Sequence, residues 1–160
     1  MVRIEKNKHS LQFFAFCLTV SFLVAVVGSV FTEDALRSGW YESVKPSITP
    51  PNYVFPIVWT ILFFLIAVSL FLAWTSAEDN QKSDVVLVFA ANFALNILWS
   101  VLYFWMRNPL LALIELIPFI SSIVVMILTT FKIDRRASYL LVPYLLWVLF
   151  AFALNALSLK

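Results

Sequence analysis

Two stretches of the sequence repeat amide and aromatic side chains at helical spacing. In NFALNILWSVLY (residues 92–103) the repeated residues are Asn92, Asn96, Trp99 and Tyr103. In PYLLWVLFAFALN (residues 143–155) they are Tyr144, Trp147, Ala151 and Asn155. Spacings of three and four place each set on one face of an α-helix. Aromatic rings stack on flat apolar molecules, and amide and indole groups orient polar ones. The stripes therefore indicate a pocket for a flat, hydrophobic, partly polar ligand.

Two further features belong to the same chemistry. Trp59 and Phe63, four residues apart, add an aromatic pair in another apolar segment. Glu115 interrupts an otherwise uncharged run, residues 110–131. An acid inside a membrane segment is a candidate for proton relay or substrate contact, but a position near the end of the run also lets it reach the interface or bond a neighbouring helix.

A simpler interpretation of the amides and rings stays open at this point. Asn side chains commonly join membrane helices by hydrogen bonds, for about 0.6–2 kcal/mol each, and aromatic rings pack between helices without any ligand. Both interpretations require the stripes to face the inside of a bundle, so they are compatible with each other.

Several other chemistries lack their residues. His9 is the only histidine and Cys17 the only cysteine, so neither a disulfide within the chain nor a His/Cys metal cluster is expected. The sequence has no glycine-rich phosphate loop and no Ser/His/acid set, and its net charge of +2 is too small to indicate nucleic acid binding. We predict no catalytic residue, no metal site and no resident cofactor.

The elements that must position these residues are membrane helices. The chain is 62% apolar and 12% charged, and long uncharged runs separate short polar clusters. About 20 apolar residues cross a bilayer as a helix. The sequence predicts an all-α membrane protein, a single domain (1–160) built as a five-transmembrane-helix bundle with spans at residues 11–31, 53–74, 85–106, 110–131 and 138–159. The first span is too long for a cleaved signal peptide.

The distribution of Lys and Arg predicts the orientation. Seven lie on the side of the N-terminus and four on the side of the first loop. The positive-inside rule places the N-terminus in the cytoplasm and the first loop outside.

The first loop, residues 32–52, is the longest connection, and its composition differs from that of a flexible polar linker. It contains aromatic residues and three prolines in the segment KPSITPP (residues 45–51). Proline fixes its own φ and biases the preceding residue towards extended structure, so we expect a stiff lid over the bundle. On the first span, Ser21, Ala25 and Ser29 form a stripe of small residues that serves either packing within the bundle or a dimer contact.

Three separate blocks resemble the TspO/MBR family, the tryptophan-rich sensory proteins and translocator proteins. The blocks are WYESVKPSITPP with FPIVWT (40–60), ALNILWSVLYF (94–104) and LLVPYLLWVLFAFALN (140–155). The resemblance implies a five-helix bundle, frequently a homodimer, with a pocket that the first loop caps. Its implied ligands are porphyrins and other tetrapyrroles, synthetic benzodiazepine-type compounds and, in some members, cholesterol.

The resemblance also implies positions for the ligand-binding residues. On the lid side these are Tyr41 and Pro51. On the cavity wall they are Trp59, Phe63, Asn92, Asn96, Trp99, Trp147 and Ala151. The chain departs from the family at Ile48, where Trp is frequent, and at Asn92, where many members have Gln. The cholesterol-recognition pattern is broken at residues 154–157.

The expected function is that of a receptor, carrier or sensor that binds a tetrapyrrole in a prokaryotic cytoplasmic membrane. Two alternatives remain. One is an enzyme that degrades bound porphyrin in light, with Trp59 and Trp147 as electron partners of the excited ring. The other is a structural or regulatory membrane subunit whose aromatic stripes meet another protein.

Overall fold

The fold is built almost entirely from helices. The computed structural model describes residues 2–159, and side chains from His9 to residue 159. Of the described residues, 85% are helical and none lies in a strand. The helices are α1 (Val2–Arg37), α2 (Trp40–Val44), α3 (Val54–Ser76), α4 (Lys82–Ser100), a π-helical turn (Val101–Trp105), α5 (Pro109–Ile133), α6 (Arg135–Leu140) and α7 (Val142–Leu157).

Five helical segments are long and apolar enough to cross a membrane. The first to fifth spans are His9–Arg37, Val54–Ser76, Lys82–Trp105, Pro109–Ile133 and Arg135–Leu157. The third span joins α4 to the π-helical turn, and the fifth joins α6 to α7. The predicted all-α, five-helix membrane architecture is confirmed, and the protein is an integral membrane protein. That residues 1–160 form one domain stays a prediction.

The first helix differs most from its predicted length. It ends at Arg37 rather than at residue 31. The hydrophobic run stops near Phe31, but the next residues still favour a helix, and Glu33 and Arg37 form an i,i+4 ion pair of 2.6 Å. The loop is correspondingly shorter. Gly39, with φ of 74°, turns the chain into the short helix α2 within it.

The spans close into a ring. The first span packs against the second and third, the third against the fourth, the fourth against the fifth, and the fifth returns to the second through α6. Ser69 of the second span donates a hydrogen bond of 2.8 Å to the carbonyl oxygen of Ala137, which closes the ring on the side away from the first loop. We call this side the packed half.

Aromatic and aliphatic side chains fill the packed half. Phe14 of the first span meets Phe71 of the second edge to face at 5.3 Å, and Phe13 stacks near Trp74 at 5.5 Å. Ile123 of the fourth span is fully buried. Because lipid is as apolar as these residues, close packing rather than water exclusion holds this half together.

Candidate functional site

A cavity of about 520 Å³ occupies the half of the bundle nearest the first loop. We call this side the open half. Residues of the first, second, third and fifth spans line the cavity, together with residues of the loop. Its volume lies within the roughly 300–1,000 Å³ of typical small-molecule sites. Among the nine predicted ligand-binding residues, six line it: Tyr41, Trp59, Phe63, Asn96, Trp99 and Ala151.

Three predicted residues lie elsewhere. Asn92 is fully buried below the cavity and bonds only protein groups. Pro51 is exposed on the loop. The ring centre of Trp147 lies 5.8 Å from that of Phe55, which lines the cavity. Trp147 itself borders a shallow apolar groove between the second and fifth spans. Each is on a predicted face or segment but at the wrong depth or angle to line this cavity.

The first span supplies wall residues that the sequence did not single out as ligand contacts. Ala25, Gly28 and Ser29 line the cavity, and Gly28 faces Ser100 of the third span, where an added Cβ would meet the hydroxyl oxygen at 3.4 Å. Ser21, the remaining member of the small-residue stripe, is fully buried. Ser21 packs within the bundle, whereas Ser29 is exposed, and a dimer contact at the stripe stays a prediction. The four-residue spacing of the stripe is visible in the sequence, but small residues alone do not distinguish a cavity wall from a dimer contact.

Tyr103 and Asn155 also line the cavity, although the resemblance did not assign them a binding role. Both belong to the amide and aromatic stripes. Tyr103 stacks on Trp99 at 5.4 Å with 22° between the ring planes. On the opposite side Trp59 lies 5.5 Å from Phe63. The cavity therefore has aromatic walls on the second and third spans, which suit a flat apolar guest.

A directional chain of hydrogen bonds connects Asn96, which lines the cavity, to the buried interior beneath it. It ends where Ser122 donates to the carbonyl oxygen of Phe119 at 2.7 Å. With its proton engaged there, Ser122 accepts from Asn92 Nδ2 at 2.8 Å, and Asn92 Oδ1 accepts from the Tyr144 hydroxyl at 3.0 Å. Asn96 Nδ2 then donates to Tyr144 at 3.2 Å. The backbone carbonyl thus fixes the orientation of every amide in the chain.

A second chain fixes the wall nearer the loop. Asn155 Nδ2 donates to the carbonyl oxygen of Pro109 at 2.8 Å, so its Oδ1 accepts from the Trp99 indole N–H at 3.3 Å. Ser158 donates to the carbonyl oxygen of Leu154, which makes the Tyr103 hydroxyl the donor in the 2.9 Å contact with Ser158. The amides hold helices together and also shape the cavity, so the two interpretations of the stripes apply at once.

The loop closes the cavity through α2. Tyr41 is buried, and its ring lies 6.5 Å from Tyr103 and 5.7 Å from Phe104. Burial raises the pKa of the Tyr41 hydroxyl, which therefore stays protonated. Arg107 donates to Asp34 at 2.8 Å, which joins the end of the third span to the end of the first beside the loop.

Polar side chains mark the mouth of the cavity. Asn52 lines it and donates to Glu42 at 2.9 Å, and Lys45 pairs with Glu42 at 2.6 Å. Hydrogen bonds from Lys45 and Asn52 hold the pKa of the Glu42 carboxyl below its usual range. Glu42 is therefore ionised at neutral pH, and the mouth carries one cation and one anion in contact.

Glu115 is buried between spans and does not line the cavity. Neither of its carboxyl oxygens has a hydrogen-bond partner among the described residues. Burial of an unpaired carboxyl group is costly, so Glu115 lowers the stability of the fold, and no hydrogen bond from the described residues offsets this cost. Its predicted role in proton relay or substrate contact stays a prediction. Among residues 9–159, no group of three or more His, Cys, Asp or Glu side chains could hold a metal ion.

Comparison with known proteins decides the family. The TspO/MBR family model matches residues 14–158. The chain belongs to the TspO/MBR family.

Named relatives agree with this TspO/MBR assignment. The chain is 41% identical to "Tryptophan-rich protein TspO" of Archaeoglobus fulgidus over 82% of this chain and 85% of the relative. It is 38% identical to "Tryptophan-rich protein TspO" of Chlorobaculum tepidum over 88% of this chain and 90% of that one. It is 30% identical to the human "Translocator protein" over 81% of this chain and 78% of that one.

Proposed function

We propose that this TspO/MBR membrane protein is a receptor, carrier or sensor for a tetrapyrrole or a similarly flat hydrophobic ligand. The observation that carries the proposal is the cavity of about 520 Å³ with aromatic walls and a loop across its mouth. A flat aromatic guest gains stacking on Trp59 and Trp99. Hydrogen bonds hold the amides of Asn96 and Asn155 in place, so the guest meets a preformed surface.

Titration with protoporphyrin tests the proposal, with tryptophan fluorescence as the signal. Saturable quenching is expected for the unmodified protein. Ala151→Phe places a ring in the cavity and should weaken binding by about tenfold or more, because the guest and the ring compete for one volume. Ala153→Phe is the matched control, since residue 153 is exposed two positions along the same helix. Absent or non-saturable quenching would favour the alternative of a structural subunit.

Light-dependent degradation of the bound porphyrin remains the second candidate. Trp59 favours it, because its indole ring lines the cavity and lies 6.2 Å from the ring of Tyr144. Trp147, the other proposed electron partner, does not line the cavity, although its ring lies 5.8 Å from that of Phe55, which does. Illumination of the complex should change the porphyrin absorption bands beyond a protein-free control. Unchanged bands would remove this candidate.

We also propose a prokaryotic cytoplasmic membrane as the location, with the N-terminus inside. The unequal distribution of Lys and Arg supports this orientation. Three of the counted residues, Arg3, Lys6 and Lys8, and the terminal Lys160 lie outside the part with described side chains. Ser43 is exposed on α2, so Ser43→Cys should react with an impermeant maleimide added to intact cells.

The proposed homodimer rests on the family resemblance. Within the small-residue stripe of the first span Ser21 is buried, whereas Ser29 is exposed, so a contact between two chains at this helix is one interface to test. Light scattering of the detergent-solubilised protein should give the mass of two chains. A mass of one chain across the tested concentrations would contradict the dimer.

A further inference from the structure

The inner wall of the cavity carries no cationic side chain that could pair with an anion. No Asp, Glu, Lys or Arg side chain lines the cavity in the described part of the chain. Several donors of this wall are engaged by the protein, since the N–H of Trp99 bonds Asn155 and the O–H of Tyr103 bonds Ser158. The hydroxyls of Ser29 and Thr60 donate to carbonyl oxygens of their own helices. A ligand carboxylate placed here would lose its hydration without a cation to replace it.

The orientation of Asn96 strengthens this restriction. Its Nδ2 donates to Tyr144, and Tyr144 in turn must donate to Asn92. The carbonyl oxygen of Asn96 accepts no hydrogen bond from the described residues, and Asn96 lines the cavity. A carbonyl oxygen at the wall repels a carboxylate. The inner end therefore favours a neutral part of a ligand over a carboxylate.

The mouth has the opposite character. The Lys45 ammonium lies 3.5 Å from Oδ1 of Asn52 and 5.9 Å from the ring centre of Tyr41, and both of these residues line the cavity. The Lys45 side chain is 26% exposed, whereas its partner Glu42 is 51% exposed. The cation is thus held at the edge of the cavity by a more exposed carboxylate.

An exposed ion pair of this kind is readily exchanged. Such pairs are worth about 0–1 kcal/mol, so a second carboxylate can replace the first at little cost. A ligand whose flat body is already bound presents its carboxylate to Lys45 at high effective concentration. Glu42 then turns to solvent, where it is already half exposed.

We propose that Lys45 is the anchor for a ligand carboxylate, with Glu42 as the exchangeable partner that occupies it in the empty protein. This inference rests on the proposed function. It defines the ligand class as a flat molecule with one carboxylated edge, and it fixes the orientation: the carboxylated edge lies at the loop, and the apolar edge points to Phe63 and Tyr144. Lys45 determines specificity between acidic and neutral ligands of equal shape.

The test compares protoporphyrin with its dimethyl ester, which has the same ring but no carboxylate. Lys45→Met should weaken binding of the diacid by about three- to tenfold and leave the ester within about twofold. Glu42→Gln should tighten binding of the diacid by about two- to fivefold, because it removes the competing carboxylate, and should leave the ester unchanged.

Lys82→Met is the matched control. Lys82 also pairs with an acid three residues earlier, Asp79 at 2.8 Å, and also lies over an aromatic ring, Trp74 at 5.6 Å, but at the opposite end of the bundle. It should change neither ligand's affinity.

The outcomes separate the anchor from the proposed function. If Lys45→Met weakens diacid and ester equally, Lys45 supports the loop rather than the carboxylate, and the anchor is overturned. Unchanged binding of the diacid in both Lys45→Met and Glu42→Gln overturns it as well, while the pocket stands. If neither compound binds the unmodified protein with saturation, the proposed function itself is overturned.

Discussion

The two halves of this bundle use the same five spans in different ways. In the packed half, Ile66, Ala67, Ile123 and Met126 have no exposed surface. In the open half, the same helices leave a cavity of about 520 Å³. Aliphatic and aromatic side chains pack closely in the first region, whereas aromatic rings and amides surround open space in the second.

The difference teaches how a membrane protein keeps a cavity open. Between helices in lipid there is little hydrophobic driving force, so a region without close packing needs another source of rigidity. Here the amide chains supply it, because each ends on a backbone carbonyl oxygen, at Phe119 and at Pro109. The packed half holds the helices together, and the open half can then be shaped for a ligand.

The largest effect should come from a cavity made in the packed half. Ile123→Ala removes a fully buried side chain and should lower the free energy of unfolding by about 2–5 kcal/mol. Porphyrin affinity of the folded fraction should not change. Val125→Ala, at a half-exposed position of the same helix, is the control and should cost about 0.5 kcal/mol or less. Unfolding in detergent micelles measures both. An equal effect of the two variants would contradict the distinction between the halves.

Removal of an amide at the boundary should come next. Asn92→Leu leaves the Tyr144 hydroxyl without its acceptor and removes the amide that donates to Ser122, and should cost about 1–3 kcal/mol. Adding Tyr144→Phe should recover part of this loss, because one unpaired hydroxyl is then absent. Strict additivity of the two changes in unfolding experiments would show that the chain is not a coupled unit.

The two tryptophans distinguish the cavity from its surroundings. Trp59→Phe removes stacking area at the wall and should weaken protoporphyrin binding by about two- to tenfold. Trp147→Phe should leave the affinity unchanged, since that ring does not line the cavity. Fluorescence titration of both variants measures the difference. A larger effect at Trp147 would mean that the ligand occupies the shallow groove between the second and fifth spans.

The smallest effect concerns the turn that closes the packed half. Asp134 accepts from the Arg136 backbone N–H at 2.8 Å and from Ser76 at 3.2 Å. Hydrogen bonds from Arg136, chiefly from its side chain, hold the Asp134 pKa below its usual value. Its stabilisation is therefore present above the usual pKa of ~4 and is lost as pH falls through the lowered value.

Two variants at Asp134 separate the cap from the charge. Asp134→Ala should cost about 1 kcal/mol at neutral pH, the usual value of a helix cap. Asp134→Asn keeps an acceptor for the cap and should remove this part of the acid dependence. Unfolding measured between neutral pH and pH 3 tests both, and an unchanged acid profile in Asp134→Asn would contradict the assignment.

The sequence predicted the spans well because hydropathy and length decide them. It misplaced the end of the first helix, since the polar turn after Phe31 still forms a helix with its own Glu33–Arg37 pair. Hydropathy reports where lipid ends, and a helix can continue past that point.

Depth explains why a predicted ligand-binding residue such as Asn92 does not line the cavity. Asn92 and Asn96 lie on one face, and only Asn96 reaches the cavity. A helical stripe gives the direction of a side chain but not whether the space beside it is filled. That depends on neighbours such as Phe119, whose position no local pattern encodes. Small residues such as Gly28 carry even less signal, because a wall and a tight helix contact both favour them.

The π-helical turn at Val101–Trp105 has a consequence for chain length in this region. Its bond from the Met106 N–H to the Val101 carbonyl oxygen, 2.8 Å, spans one residue more than an α-helical turn would. Removing one residue from this segment would let the turn tighten to an α-helical one, and the residues after it would keep nearly their present orientation around the helix axis, because the π-turn already accommodates one residue more than an α-helical turn. Arg107 would still reach Asp34, whereas a deletion in the regular α-helix before this turn would rotate the following residues by about 100°.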